Sequence, residues 1–213
     1  MARALTSRNL LEKKTGQPVK VSNAVLSKVL GAAVAKKCWL IYGIEKNGKT
    51  ALALEIAKAL APNITVDYIS AEEGTEASFQ QACLRAGINK ATKIKWSEYL
   101  PLADLVEKYK KPKSSKVIII DNCTIYSDEF KDLKLLDLLD ALKNKLVIFL
   151  AHEERKEPFP AVARMIKKLS TVYFHVQGLK VDTVSRFEGG GGSFLINKEK
   201  AELYWGEEDL ETI

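Results

Sequence analysis

The sequence predicts a three-layer α/β domain whose mostly parallel central sheet continues into an antiparallel C-terminal extension. Three observations predict this class. Continuous apolar runs, typical of strands buried on both faces, alternate with amphipathic stretches at helical spacing. A glycine- and lysine-containing turn joins the first apolar run to the next helix. After residue 171, short alternating runs follow one another through short connections, which indicates antiparallel pairing.

The composition is that of a soluble globular protein. The chain has 213 residues, of which 46% are apolar and 28% charged. No apolar run approaches the roughly 20 residues of a membrane span, so we expect no membrane partner. The three cysteines (Cys38, Cys83 and Cys123) form no C-x-x-C pair, which favours reduced thiols and a cytoplasmic protein. The net charge of +6 mildly favours a polyanionic partner.

The chain divides into three predicted segments. Residues 1–37 form a leader, in which a helical pattern over 23–37 is weakened by Gly31. We expect this leader to pack against the sheet edge or a neighbouring subunit. Residues 38–206 form the main domain. Residues 207–213 form an acidic tail with Glu207, Glu208, Asp209 and Glu211, which we expect to be solvated.

The first strand, over residues 39–42, leads into a phosphate-binding motif. Gly43, Gly48, Lys49 and Thr50 match G-x-x-x-x-G-K-[ST], and an amphipathic helix runs from Lys49 to the stop at Pro62. Glycines permit so tight a loop, and its backbone N–H groups and the helix N-terminus attract anionic oxygens. Lys49 would reach the β- and γ-phosphates, and Thr50 would bind Mg²⁺. The predicted nucleotide contacts are Gly43, Ile44, Glu45, Lys46, Asn47, Gly48, Lys49, Thr50 and Ala51.

The middle of the chain continues this strand–helix alternation. Strands are predicted over residues 66–70, 94–100, 117–120 and 146–151, and helices over 75–86, 102–109, 133–142 and 161–169. The tail predicts strands over 171–176, 179–187, 192–197 and 201–205. The lysines at 108, 110, 111, 113 and 116 indicate either a solvated loop, the default for such a run, or a contact with nucleic-acid phosphates.

Polar residues follow three of the predicted strands. Asp121 ends the run VIIID, where it could hold the Mg²⁺ water shell or merely cap the next turn. Glu72 and Glu73 follow the second strand. His152 follows the strand LVIFLA, where it could sense a γ-phosphate or only cap a turn. Because ligands bind at the carboxyl ends of strands in such sheets, these side chains are expected to converge on one site.

These motifs together resemble the RecA-like P-loop ATPases, the group of RecA recombinases, DnaB-type replicative helicases and KaiC. The resemblance covers about residues 35–205 and rests on GIEKNGKT, YISAEEG, VIIID and FLAHEE. It implies ATP and Mg²⁺ as ligands, Glu72 as the general base with Glu73 as the alternative, and His152 as the residue that couples γ-phosphate state to a polymer-binding surface. It also implies a homo-oligomer in which Arg186 or Lys180 acts on the neighbouring subunit's nucleotide, with the glycine run after Arg186 as a mobile hairpin tip.

The resemblance implies a short, single-domain member of the kind found in phage and mobile elements. Its function would be ATP hydrolysis with single-stranded or double-stranded DNA in replication or recombination. A nucleotide-gated loader or mediator with little turnover is the main alternative. A small-molecule P-loop kinase is a weaker one, because the same loop serves any phosphoryl transfer but no arginine-rich lid precedes the tail.

Overall fold

A sheet of nine strands organises the residues that the structure, a computed structural model, describes, namely 4–206. The strands in chain order are β1 (Lys37–Gly43), β2 (Val66–Ser70), β3 (Ile94–Ser97), β4 (Val117–Asp121), β5 (Leu146–Glu154), β6 (Glu157–Phe159), β7 (Val172–Gln177), β8 (Lys180–Ser185) and β9 (Gly192–Leu195). Their spatial order is β3-β2-β4-β5-β1-β7-β8-β9, and β6 pairs with the end of β5. Strands β3 to β7 in that order are parallel, and β8, β9 and β6 are antiparallel.

Helices cover both faces of this sheet. They are α1 (Ser7–Leu11), α2 (Ala24–Leu30), α3 (Lys49–Leu60), α4 (Ala77–Arg85), α5 (Leu102–Lys110), α6 (Glu129–Asp132), α7 (Leu135–Ala141), α8 (Ala161–Leu169) and α9 (Lys198–Trp205). Helices α2, α3 and α4 bury apolar side chains against one face, and α5, α7 and α8 against the other. Alternate residues of β1 enter the two cores, with Trp39 in one and Leu40 in the other. The predicted three-layer α/β fold is therefore confirmed.

The predicted strand over 201–205 is wrong, because these residues belong to α9. Asn197 caps this helix by accepting a hydrogen bond from the backbone N–H of Lys200 at 3.0 Å. The segment KEKAEL that follows the cap is rich in strong helix formers. Local capping and helix propensity therefore prevail over the short apolar alternation that suggested a strand.

The helical pattern predicted over 23–37 ends early, at Leu30. Gly31 adopts φ +56°, and a Cβ there would overlap the backbone of Gly190. The N–H of Gly191 donates to the carbonyl of Val29 at 2.8 Å, and the N–H of Ala32 donates to the carbonyl of Glu188 at 3.1 Å. The glycine run is thus hydrogen-bonded against the end of α2, which corrects the expectation of a mobile tip. Within the predicted leader, α2 buries Leu26, Val29 and Leu30 in one core.

Other predicted boundaries differ by a few residues. Strand β5 extends three residues beyond the predicted end at Ala151, because it pairs there with the unpredicted strand β6. The helix predicted over 133–142 is α7 alone, and the unpredicted α1, α6 and 3₁₀ turn Cys123–Tyr126 are shorter than six residues. All three cysteines are free thiols. Within residues 4–206, no helix has the length and apolarity that crossing a bilayer requires. The predicted acidic tail lies outside the described residues.

Candidate nucleotide-binding site

The phosphate-binding loop lies between the end of β1 at Gly43 and the start of α3 at Lys49. A Cβ at Gly43 would overlap the carbonyl oxygen of Val176 in the neighbouring strand β7. Gly48 has φ +105°, and a Cβ there would lie 2.6 Å from Cδ2 of Leu179. Both glycines are therefore required by close approach, and Gly48 by its backbone conformation as well.

The turn between β7 and β8 braces this loop. The N–H of Gly178 donates to Oδ1 of Asn47 at 2.6 Å, and the N–H of Leu179 donates to the carbonyl of Asn47 at 3.2 Å. Inside the loop, Nζ of Lys49 donates to the carbonyl of Ile44 at 2.9 Å. Burial lowers the pKa of Lys49, and the nearby carboxylates of Asp121 and Glu72 oppose that shift. An anion bound in the loop would add to their effect and favour the charged lysine.

Thr50 and Asp121 meet at the carboxyl ends of β1 and β4. The Thr50 hydroxyl donates to Oδ2 of Asp121 at 3.0 Å, and the Tyr68 hydroxyl donates to the same oxygen at 2.6 Å. Burial raises the pKa of Asp121 to about 6, although both hydrogen bonds lower it. A cation beside this buried carboxylate would stabilise its ionised form.

This donor set fits Mg²⁺. A hydroxyl and a carboxylate are hard oxygen ligands, and Mg²⁺ commonly takes one or two protein oxygens and completes its shell with water and substrate phosphates. Within the described part of the chain, no group of three histidine, cysteine, aspartate or glutamate side chains could hold a metal by itself. Thr50 and Asp121 would therefore hold the ion together with the phosphates.

Glu72, Asn122 and His152 form a polar cluster beside Asp121. The Asn122 side-chain amide donates to Oε2 of Glu72 and lies 2.8 Å from Nε2 of His152. That histidine nitrogen is also 3.6 Å from Oε1 of Glu72. The backbone N–H groups of Ala71 and Glu72 both donate to the carbonyl of Asp121. The end of β2 is thereby tied to the end of β4, which holds Glu72 over the site.

A single cleft of about 620 Å³ contains these groups. Its lining includes Lys49, Thr50, Glu72, Glu73, Asp121 and His152, so the structure brings together side chains predicted from four separate strand ends. The cleft can receive an anionic ligand at the loop, a divalent cation at Thr50 and Asp121, and a water molecule near Glu72.

Comparisons of the fold place it among known structures. FlaH, a flagellar accessory protein from Methanocaldococcus jannaschii, is similar with 20% identity and a TM-score of 0.59, over 84% of this chain and 94% of that one. A second solved structure, the ATPase domain of another protein, is similar with 16% identity and a TM-score of 0.61, over 88% and 90% of the two chains. This is the RecA-like P-loop ATPase fold. No family model and no curated protein matches the sequence.

The RecA-like fold separates Arg186 from this cleft. Strand β8 is antiparallel to β7, and Ser185 pairs with Val172 at the amino edge of the parallel strands. Arg186 follows there and donates to the carbonyl of Lys168 at 2.5 Å. Lys180 pairs with Gln177 at the opposite end of β8, near the loop. Neither side chain is among those that line the cleft of its own subunit, so their action on a neighbour stays a prediction.

Several cleft residues escaped the sequence analysis. Tyr68 and Asn122 each contact a predicted site residue, and Arg85, Ile196 and Lys200 line the side of the cleft away from the strand ends. Asn122 directly follows Asp121, so its position beside a strand-end acid was a usable signal. Tyr68 reads only as an apolar strand residue, and Lys200 lies in a segment that was predicted as a connection between strands.

Proposed function

We propose that this chain is a Mg²⁺-dependent RecA-like ATPase that acts with DNA in replication or recombination, as an oligomer. One observation carries the ATPase proposal: Thr50 is hydrogen-bonded to the buried Asp121 in the cleft that also contains Lys49 and Glu72. The fold is shared with an ATPase domain, which supports the same reaction.

The residues act on ATP in distinct roles. Loop N–H groups and Lys49 bind the phosphate oxygens and stabilise the charge that develops on them. Mg²⁺, held by Thr50 and Asp121, neutralises charge on the β- and γ-phosphates when it is bound. Glu72, oriented by Asn122, accepts a proton from the attacking water. The water oxygen bonds to the γ-phosphorus, and the bond to the β–γ bridging oxygen breaks, which releases ADP and phosphate.

His152 supports the proposed action with DNA. It lies 3.6 Å from Glu72, and the same strand, β5, continues to Glu154 and returns through a tight turn into β6. The turn residues Arg155 and Lys156 are exposed and basic. A change at the phosphates that moves His152 would therefore reach two residues suited to contact a phosphodiester backbone.

The test measures ATP hydrolysis by the purified chain with and without single-stranded DNA, with Lys49→Ala as the blank. We expect a rate that rises severalfold with DNA and vanishes in the blank. A near-zero rate with tight nucleotide binding would refute turnover and favour a loader or mediator. Turnover that requires a small-molecule acceptor would favour a kinase.

A further inference from the structure

A second cleft, of about 660 Å³, lies at the amino edge of the parallel strands, opposite the nucleotide site. It is lined by Lys95 of β3, Lys108 of α5, and Lys111, Lys113, Ser114 and Ser115 of the loop that leads into β4. The five residues of β4 separate this loop from Asp121, a length of roughly 15 Å at 3.3 Å per residue. The two clefts are therefore distinct sites on opposite edges of one sheet.

The charge of the chain is concentrated around this second cleft. Residues 90–116 contain eight lysines and three acidic residues, a net charge of +5 within a chain whose net charge is +6. The segment makes up about an eighth of the sequence, so the rest of the chain is close to neutral. A field this localised attracts a polyanion to one place instead of acting on the whole surface.

The cleft's own carboxylate does not neutralise this charge. Asp67, whose side chain is 2% exposed, forms an ion pair with Lys108 at 3.1 Å and accepts a hydrogen bond from Ser97 at 3.1 Å. Within residues 4–206, no carboxylate lies within ion-pairing distance of Lys95, Lys111 or Lys113. These three exposed lysines are thus available to an external anion.

A buried lysine lies behind the cleft loop. Lys145 is 6% exposed, and its Nζ donates to the carbonyl of Ser114 at 3.2 Å, to the hydroxyl of Ser114 at 2.7 Å and to the carbonyl of Ser115 at 3.0 Å. Burial, and after it the charge of Lys116, lowers its pKa. Lys145 therefore fixes the loop with a charge that no carboxylate of the described residues pairs, and an anion in the cleft would stabilise it.

The surroundings favour a phosphate backbone over a protein or a membrane. None of the large exposed apolar side chains in the described chain lies within residues 90–98, 108–116 or 142–146. Protein interfaces bury an apolar or aromatic centre, and peripheral membrane surfaces insert apolar side chains, so both need residues that this cleft lacks. Lysines without such residues suit phosphodiester groups, which bind largely by charge.

We infer that this lysine cleft binds the phosphate backbone of a nucleic acid, as a site separate from the ATP cleft and from the β5–β6 turn. The inference rests on the proposed function only in taking DNA as the occupant. It gives the chain a nucleic-acid contact at the edge of the sheet opposite the nucleotide, so binding there does not require ATP.

The test measures the affinity for a fluorescein-labelled 30-nucleotide oligothymidylate, and for a duplex of equal length, by fluorescence anisotropy at several salt concentrations. The cleft variant is Lys95→Glu/Lys111→Glu/Lys113→Glu. The matched control, Lys28→Glu/Lys131→Glu/Lys198→Glu, makes the same change in net charge at exposed positions of α2, α6 and α9. A triple Lys→Gln variant of the cleft replaces the first should charge reversal impair folding, as judged by thermal melting.

We expect the cleft variant to bind the single strand at least tenfold more weakly than the control. We also expect its log–log salt slope to fall by about two, because each lost phosphate contact removes about 0.7. Equal affinities of the cleft variant and the control, or no binding by the unmodified chain, would overturn the inference. ATP binding separates this result from the proposed function, since Lys49→Ala removes ATP binding and leaves oligothymidylate binding intact.

Discussion

Two adjacent glutamates at the end of β2 have different surroundings. Glu72 accepts a hydrogen bond from Asn122 and lies 3.6 Å from His152, whereas Glu73 accepts a long hydrogen bond, of 3.4 Å, from Ser78. A general base needs a fixed position, because its contribution depends on reach to the proton it accepts. The contacts therefore favour Glu72, which the sequence alone left open against Glu73.

We predict that Glu72→Gln lowers kcat for ATP hydrolysis by at least about 100-fold and leaves ATP affinity nearly unchanged, since Gln keeps the shape but cannot accept the proton. Glu73→Gln is the matched control, with kcat within about threefold of the unmodified chain. Steady-state kinetics and equilibrium binding check both variants. A larger loss in Glu73→Gln would assign the base to the other glutamate.

Asp121 predicts an unusual pH dependence of stability. Its pKa is raised by burial to about 6, so the folded state favours the protonated carboxyl. The resulting stabilisation is fully present below the ordinary value of 3.8 and is lost as pH rises through about 6. Asp121→Asn stays neutral, so its advantage in the free energy of unfolding should be about 1.4 kcal/mol larger at pH 8 than at pH 5.

Urea unfolding in EDTA without nucleotide measures this difference. Asp140→Asn is the control, because Asp140 is exposed and its ion pair with Lys143 is long, at 3.7 Å. An advantage of Asp121→Asn that stayed constant or shrank between pH 5 and pH 8 would show that burial does not raise the pKa of this carboxyl.

The residues of the phosphate loop were predictable because their identity follows from local chemistry. Gly43, Gly48, Lys49 and Thr50 have fixed spacing, and each type is needed for a loop of that shape. Tyr68 and Asn122 act through contacts between strands that are far apart in sequence. Without knowing that β2 lies beside β4, nothing marks a strand tyrosine as a partner of Asp121.

At the scale of elements, the contact between the end of α2 and the glycine run joins two segments about 160 residues apart. Gly31 has φ +56° and meets the backbone of Gly190, so a methyl group there meets both a steric and a conformational penalty. Gly189 also has a positive φ, +70°, but a Cβ there would meet no atom within 4 Å. The pair therefore separates close approach from backbone conformation.

We predict that Gly31→Ala lowers the free energy of unfolding by more than about 3 kcal/mol, because rigid backbone must move to admit the methyl group. Gly189→Ala should lower it by only about 1–2 kcal/mol, the conformational penalty alone. Chemical denaturation compares the two variants. Equal losses would mean that the contact with Gly190 contributes nothing.

The same scale explains which elements were predictable. The buried runs of β1, β4 and β5 are apolar throughout, because these strands are covered on both faces. Helix α9 was mistaken for a strand, since residues 201–205 alternate over too short a window to separate the two periods. Its role beside the cleft depends on tertiary packing: Trp205 donates to the carbonyl of Gly178 at 3.2 Å, in the turn that braces the loop.

At the scale of the whole molecule, Arg186 and the nucleotide cleft lie at opposite edges of the sheet. A residue so placed can act on ATP only in a neighbouring subunit, as it would in a head-to-tail oligomer. We predict that Lys49→Ala and Arg186→Ala are each inactive alone. Mixed subunits should regain part of the ATPase activity, because some interfaces then combine an intact loop with an intact arginine.

Activity measured over a series of mixing ratios checks this complementation. Mixtures with Lys49→Ala/Arg186→Ala serve as the control, since the double variant supplies neither group. No gain over the separate variants, or full activity of Arg186→Ala alone, would contradict the trans-acting role.

The central claim is that the cleft at the carboxyl ends of β1, β2, β4 and β5 binds Mg-ATP through Lys49, Thr50 and Asp121. Isothermal titration calorimetry with ATP tests it most directly, with Lys28→Ala as a control outside the cleft. We predict one ATP per chain, an affinity that falls when EDTA removes Mg²⁺, and a loss of at least about 30-fold in Lys49→Ala, from one charge-assisted contact of about 2 kcal/mol. Equal ATP affinity in the Lys49→Ala and Lys28→Ala variants would contradict the claim.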